Sequence, residues 1–229
     1  MRIVILPGWQ HTTDDWEQVA TILKSHGHQI QLLTLPGFGE EPLPTSINTM
    51  NQVADWLEQK LAPIPLDESI ILCGHSYGGR LAVTLAARKK IPISKMILVG
   101  SPNLYRPTLS IQIKKIVVGF AKPFRRLIPH KVRDKLRSED YRKVRNTPLA
   151  RLYKDVLQTS QDAELSECGI PTLVICGDRD EAVSISTAKE ITSLLPYGKL
   201  QVLKETGHNI HFENPSLLAG IVHTYATHS

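Results

Sequence analysis

Ser76 stands at the centre of Gly74-His75-Ser76-Tyr77-Gly78, between the strand-like run Ser69 to Cys73 and the helix-like run Arg80 to Lys90. A sharp strand-to-helix turn strains the central residue and exposes its hydroxyl, and only small residues fit two positions to either side. Gly74 and Gly78 give that clearance. The amides and dipole of the following helix favour negative charge at the same point. A serine hydroxyl is a poor nucleophile at neutral pH, so this chemistry also demands a base to take its proton and a carboxylate to orient the base. Two downstream segments offer them. Thr172 to Cys176 is a short apolar, β-branched run that ends in Gly177-Asp178-Arg179-Asp180, and Leu200 to Leu203 is followed by Glu205-Thr206-Gly207-His208. On residue type alone, Asp178 and Asp180 both remain candidates for the acid.

The elements that must hold these groups alternate strand and helix, which predicts a mostly parallel sheet covered on both faces. Strand-like runs lie near Ile3, at Ile30 to Thr34, near Ile70, at Met96 to Val99, at Thr172 to Cys176 and near Leu200, about six in all. Helical patterns fall at Asp15 to Ser25 with Thr13 or Asp14 as cap, Asn48 to Leu61, Gly78 to Lys89, Ser186 to Leu195 and Pro215 to Thr227.

Four motifs together resemble the α/β-hydrolase superfamily. They are the turn at Ser76, the strand end Gly177 to Asp180 followed by Val183, the run Gly207-His208-Asn209-Ile210-His211-Phe212-Glu213-Asn214-Pro215 matching G-H-x-x-x-x-E-x-P, and Leu35-Pro36-Gly37-Phe38-Gly39. The resemblance spans nearly the whole chain. It implies Ser76 as nucleophile, His208 as general base and Asp180, at the family's G-x-x-D spacing from Gly177, as the orienting acid. The oxyanion donors it implies are the amides of Tyr77 and Trp9, the second on the loop after the first strand. Pro7 stands where many relatives carry histidine, but the donor role does not fall on that residue. Trp9 and His211 are further expected to line the substrate pocket, and His75 to be structural. His26, His28, His223 and His228 read as surface or loop residues.

The alternation breaks between Gly100 and Thr172. A long segment there shows helical periodicity punctuated by prolines, and the resemblance implies a helical cap over the site, giving a core domain of residues 1–102 and 166–229 and a cap of residues 103–165. A cap excludes water and shapes an acyl pocket. This segment holds 15 Lys+Arg against 6 Asp+Glu, so the formal net charge of +5 resides in it. Ile111, Ile113, Val117, Phe120, Phe124, Leu127 and Ile128 alternate with Lys114, Lys115, Lys122, Arg125 and Arg126 in an amphipathic basic pattern. Such a face suits a solvated lid, an anionic lipid surface or an acidic carrier protein presenting an acyl chain. Nucleic acid is not expected as a partner, because no aromatic stacking series or recognised binding module accompanies the charge.

A chain of 229 residues with 41% hydrophobic content fits one enzyme domain. No transmembrane segment is expected, and Met1 to Gly8 reads as the first strand rather than a signal sequence. Cys73, Cys168 and Cys176 form no spaced pair or metal-ligand cluster, so buried reduced thiols and a cytoplasmic location are expected. No cofactor motif and no metal are expected. The reaction expected is hydrolysis of a small-molecule carboxylic ester through an acyl-enzyme. Thioesterase, acyl-carrier-protein ester hydrolase, carbon-carbon bond hydrolase and a non-catalytic ligand receptor on the same scaffold are the alternatives, since all can share this triad.

Overall fold

The computed structural model describes residues 1–65, 67–106 and 139–228. Six strands form one sheet: β1 (Arg2–Leu6), β2 (Gln29–Leu32), β3 (Ile70–His75), β4 (Ile93–Val99), β5 (Thr172–Gly177) and β6 (Gly198–Leu203). They are all parallel, in the order β2-β1-β3-β4-β5-β6. The six expected runs are thus all strands, with β2 ending at Leu32 rather than Thr34.

Alternation along the strands divides the core into two layers. Val4, Leu6, Leu72, Leu98 and Val174 join one apolar cluster with side chains of α2 (Met50–Leu61), α3 (Tyr77–Arg88) and α7 (Ile185–Leu194). Their neighbours Ile3, Ile5, Ile71, Ile97 and Ile175 point to the other face, where they meet α1 (Glu17–Ser25) and α9 (Pro215–Thr227). A strand buried on both faces needs an unbroken apolar run, which is what β1, β3 and β5 carry.

Helix starts follow local chemistry. Thr49 and Gln52 form a capping box at α2, the Ser184 side chain caps α7, and Asn214 caps α9 with Pro215 in its first turn. The start of α1 differs from expectation. A 3-10 turn over Asp14–Trp16 leads into it, and Thr13 makes no capping hydrogen bond. Asp15 instead accepts from the Thr12 amide (2.8 Å) and from His11 Nδ1 (3.0 Å), so the carboxylate closes the loop in front of the helix.

Between β4 and β5 the described residues form three helices, α4 (Glu139–Val144), α5 (Leu149–Gln158) and α6 (Asp162–Ser166). The basic amphipathic stretch at residues 111–128 lies outside the described residues. Both ends of the excursion are fastened to α3 and to each other. Asn103 Nδ2 donates to Gln161 Oε1 (3.0 Å), Gln161 Nε2 donates to the Arg80 carbonyl (2.9 Å) and to Thr84 Oγ1 (3.1 Å), and Arg80 donates to the carbonyls of Pro102 and Thr159. Burial lowers the Arg80 guanidinium to about 10, and these carbonyls partly replace its lost water. Asp155, on α5, accepts the Met50 amide at the start of α2 (2.8 Å), which anchors α5 to the core. Among the described residues no helix is long and apolar enough to cross a membrane.

Candidate active site

Ser76 lies between β3 and α3 with φ 49° and ψ −114°, a left-handed backbone that costs a non-glycine residue about 1–3 kcal/mol. The surroundings hold it there. Its amide donates to the Val99 carbonyl (2.9 Å), and its carbonyl accepts from Ser101 Oγ (3.1 Å) and the Gly79 amide (3.1 Å). The flanking glycines are needed for space. A Cβ on Gly74 would lie 2.5 Å from the Gly78 carbonyl oxygen, and one on Gly78 would lie 2.1 Å from that of Leu6. Because these neighbours are backbone, Gly78→Ala is expected to cost about 3 kcal/mol, read as a lowered urea midpoint, whereas Ala at the open Gly169 should leave it unchanged.

His208 bridges the serine to the acid. Its Nε2 is 3.1 Å from Ser76 Oγ and its Nδ1 is 2.9 Å from Asp180 Oδ2. Asp180 Oδ1 accepts the amides of Ala182 (2.7 Å) and Val183 (2.8 Å). Burial opposes ionisation of this carboxyl, but the hydrogen bonds from His208 and the two amides outweigh it and hold Asp180 below the usual carboxylate range. Asp178, the other candidate, is exposed and accepts the Thr206 amide (3.2 Å). The geometry therefore brings Asp180, and not Asp178, to His208.

Gly100 and Glu213, to which no role was given from the sequence, hold this arrangement together with His75, which was expected to be structural. Gly100, at φ 51°, follows β4 where a Cβ would lie 3.2 Å from His208 Nδ1 and 3.3 Å from Asp180 Oδ2. Glu213 accepts the amides of Gly207 (2.6 Å) and Asn209 (3.2 Å), pinning the loop on both sides of His208. His75 Nε2 donates to the His208 carbonyl (3.0 Å). The G-H-x-x-x-x-E spacing was the available signal for Glu213, and no local signal marked Gly100.

Trp9 and Tyr77 meet at the mouth of β1 and β3. The close approach of Gly78 to the carbonyls of Leu6 and Pro7 joins the loop after β1 to the first turn of α3. Tyr77 opens α3, so its amide is among the first four that lack an intrahelical acceptor. The Trp9 ring packs edge-on against Phe38 (4.9 Å), Tyr153 (5.1 Å) and Tyr77 (5.3 Å), so α5 packs through Tyr153 against the loop after β1, next to the first residue of α3. This is also the place where strand order reverses, β1 feeding β2 on one side and β3 on the other, the usual ligand crevice of an open α/β sheet.

Of the remaining histidines, His26 and His228 are exposed as expected, whereas His28 and His211 depart from expectation. His28 is buried rather than on the surface, and its Nε2 lies 2.9 Å from His223 Nδ1, while His26 stacks on His223 at 4.3 Å. His211 is 1% exposed and stacks on Trp16 at 4.7 Å. Its described ring contacts are with His11, Trp16, His75 and Phe212 and not with Trp9, which makes it a core residue rather than a pocket wall. Burial, then neighbouring His11, pushes the His211 imidazole down to about 3. Burial, with His211 and His208 beside it, likewise pushes His75 well below its usual 6.5. The three cysteines are unpaired and buried, and burial raises the Cys73 thiol to about 12.

Comparison with known proteins agrees with this architecture. The family model described as "alpha/beta hydrolase fold" matches residues 2–163. Methylesterase 2 of Arabidopsis thaliana is 32% identical over 107 residues, 44% of this chain and 40% of the relative. A pimeloyl-[acyl-carrier protein] methyl ester esterase of Nitrosospira multiformis is 32% identical over 102 residues, 43% of this chain and 38% of the relative. The chain thus spans about two fifths of the length of these curated relatives. MenH from S. aureus superposes with a TM-score of 0.73 at 23% identity, covering 98% of this chain and 92% of that one, a likeness of fold. The match over residues 2–163, the six-stranded parallel sheet and the turn at Ser76 lead to one conclusion: the chain belongs to the α/β-hydrolase fold family.

Proposed function

We propose that this protein is a serine hydrolase that cleaves carboxylic esters through an acyl-enzyme. The observation that carries the reading is the continuous chain Ser76 Oγ, His208 Nε2, His208 Nδ1, Asp180 Oδ2, with links of 3.1 and 2.9 Å. His208 takes the hydroxyl proton as Ser76 Oγ attacks the ester carbonyl, and the amides of Tyr77 and Trp9 receive the oxyanion. The same proton passes to the departing alcohol. His208 then takes a proton from water as it attacks the acyl-enzyme, and the acid leaves with Ser76 restored. Asp180 keeps the proton of His208 on Nδ1, which leaves Nε2 free to accept. The methylesterase and methyl ester esterase names of the relatives support ester chemistry.

Residues 103–165 are assigned to a cap, supported by the fastening of Asn103 and Gln161 to α3 and by Tyr153 against Trp9. The three buried unpaired thiols support a reducing compartment such as the cytoplasm. A p-nitrophenyl ester series of increasing acyl length tests the reading. Turnover is expected, with a preference for short acyl groups if the Trp9, Phe38, Tyr77 and Tyr153 rings, which pack together where the loop after β1 meets the start of α3, wall the acyl site. Absence of turnover at every length, in a chain whose Ser76 still reacts with a fluorophosphonate, would remove the ester assignment and leave a Ser76 nucleophile for another acyl substrate. A carrier-bound acyl group is the second reading, favoured by the excess of 15 Lys+Arg over 6 Asp+Glu at residues 103–165. It requires kcat/KM on an acidic carrier substrate to fall steeply with salt.

A further inference from the structure

Behind the His208 loop, three histidines from distant parts of the chain converge. His11 follows β1, His75 ends β3 and His211 lies in α8 (Ile210–Glu213). One ring nitrogen from each lies within 4.8 Å of the other two. The hydrogen bonds around them decide where the lone pairs point. A carbonyl can only accept, so His75 Nε2 carries the proton it donates to the His208 carbonyl, and Nδ1 presents a lone pair. That Nδ1 is buried and has no hydrogen-bond partner. His11 donates from Nδ1 to the Asp15 carboxylate, which leaves Nε2 as its basic nitrogen. Both ring nitrogens of His211 are buried and unpartnered, although the ring must carry one donor and one acceptor. Buried polar atoms are rarely left in this condition, and two adjacent rings share it.

We propose that His11, His75 and His211 bind a first-row transition-metal dication, with zinc the best match. Three neutral imidazoles are a recognised zinc donor set that leaves a fourth position for water. The outer contacts fit as well. Ligating histidines usually donate their other N–H to a carboxylate or a backbone carbonyl, and here His11 faces Asp15 while His75 faces the His208 carbonyl. Gly8 leaves space beside them, since a Cβ there would lie 2.7 Å from His75 Nδ1 and 3.1 Å from His11 Cδ2. Nitrogens bound about 2 Å from one tetrahedral ion are about 3.3 Å apart, so the loosest pair must draw in by up to about 1.5 Å. His11 is the ligand free to do so, as its side chain is 22% exposed while the other two are buried. It is also the route by which an ion reaches the buried pair.

The site lies outside the Ser76–His208–Asp180 chain and does not depend on the reaction assigned to it. The test is titration of the untagged, metal-stripped chain with cobalt(II), followed in the visible region, and displacement of cobalt by zinc. One equivalent of cobalt is expected to give the intense absorption of a tetrahedral site, and one equivalent of zinc to abolish it. His11→Ala is expected to weaken zinc binding at least tenfold, and Asp15→Asn about tenfold through His11. His223→Ala should leave affinity unchanged, because it dismantles only the separate His26, His28 and His223 group. Three results would overturn the proposal: no saturable cobalt band on the parent chain, affinity unaltered in His11→Ala, or affinity lost in His223→Ala. The titration of the parent chain decides the matter even if a variant fails to fold.

Discussion

Ser76→Ala is expected to lower ester turnover by roughly 10⁵-fold while leaving the protein folded. The loss is large because the hydroxyl is the attacking group, and neither His208 nor the oxyanion amides can replace it. What remains is binding and oxyanion stabilisation acting on water, roughly 10³-fold over the uncatalysed rate in comparable triads. The fold should survive because the elbow is held by backbone. The Ser76 amide on Val99 and the Ser76 carbonyl under Ser101 and Gly79 are unaffected by removing Oγ, whose described side-chain contact is with His208 Nε2. Alanine keeps the Cβ and so keeps the strain of φ 49°. Ser76→Gly relieves it and should raise stability by about 1 kcal/mol. Thermal unfolding and turnover measured on the same preparations check both halves. Turnover in Ser76→Ala within tenfold of the parent would mean that Ser76 is not the nucleophile.

What could be read from the sequence was local in origin. Apolar runs such as Ile70 to Cys73 and Thr172 to Cys176 mark strands because alternate side chains must meet two buried faces, and all six runs became strands. The turn at Ser76 is legible because its glycines answer to backbone clashes within a few residues. The acid needed more than composition, since Asp178 and Asp180 share one turn and only a known spacing separated them. Features set by topology were not legible. Asn103 and Gln161 meet across 58 positions, and His28 and His223 across 195, so no periodicity announces either pair. Gly100 clears room for a histidine that arrives after two further strands. The group of His11, His75 and His211 has no ligand spacing at all, because its members share a place only after β1, β3 and α8 are assembled.

The two aspartates of the Gly177 to Asp180 turn should separate cleanly under the same substitution. Asp180→Asn is expected to reduce kcat by roughly 10⁴-fold with little change in KM. The asparagine oxygen can still accept from Ala182 and Val183, the bonds now made by Oδ1, so the turn should hold its shape. Its amide group then faces His208 Nδ1 where the carboxylate oxygen lies at 2.9 Å. An NH₂ donates, so Nδ1 must accept, and the ring proton moves to Nε2 opposite Ser76 Oγ. A base already protonated at that nitrogen cannot take the serine proton. The charge that would stabilise the imidazolium is lost as well, and in a site where the Asp180 side chain is fully buried no water replaces it. Asp178→Asn removes a charge too, but an exposed one whose described bond is acceptance of the Thr206 amide at 3.2 Å, a role the asparagine oxygen can keep. Its kcat should stay within about threefold of the parent, as for an exposed substitution away from the reacting groups. Steady-state kinetics on the two variants, with unfolding midpoints to exclude loss of structure, provide the comparison. If Asp178→Asn proved the more damaging, the acid of this site would have to be reassigned, and the hydrogen bond between Asp180 and His208 would be a structural contact rather than the one that sets the tautomer.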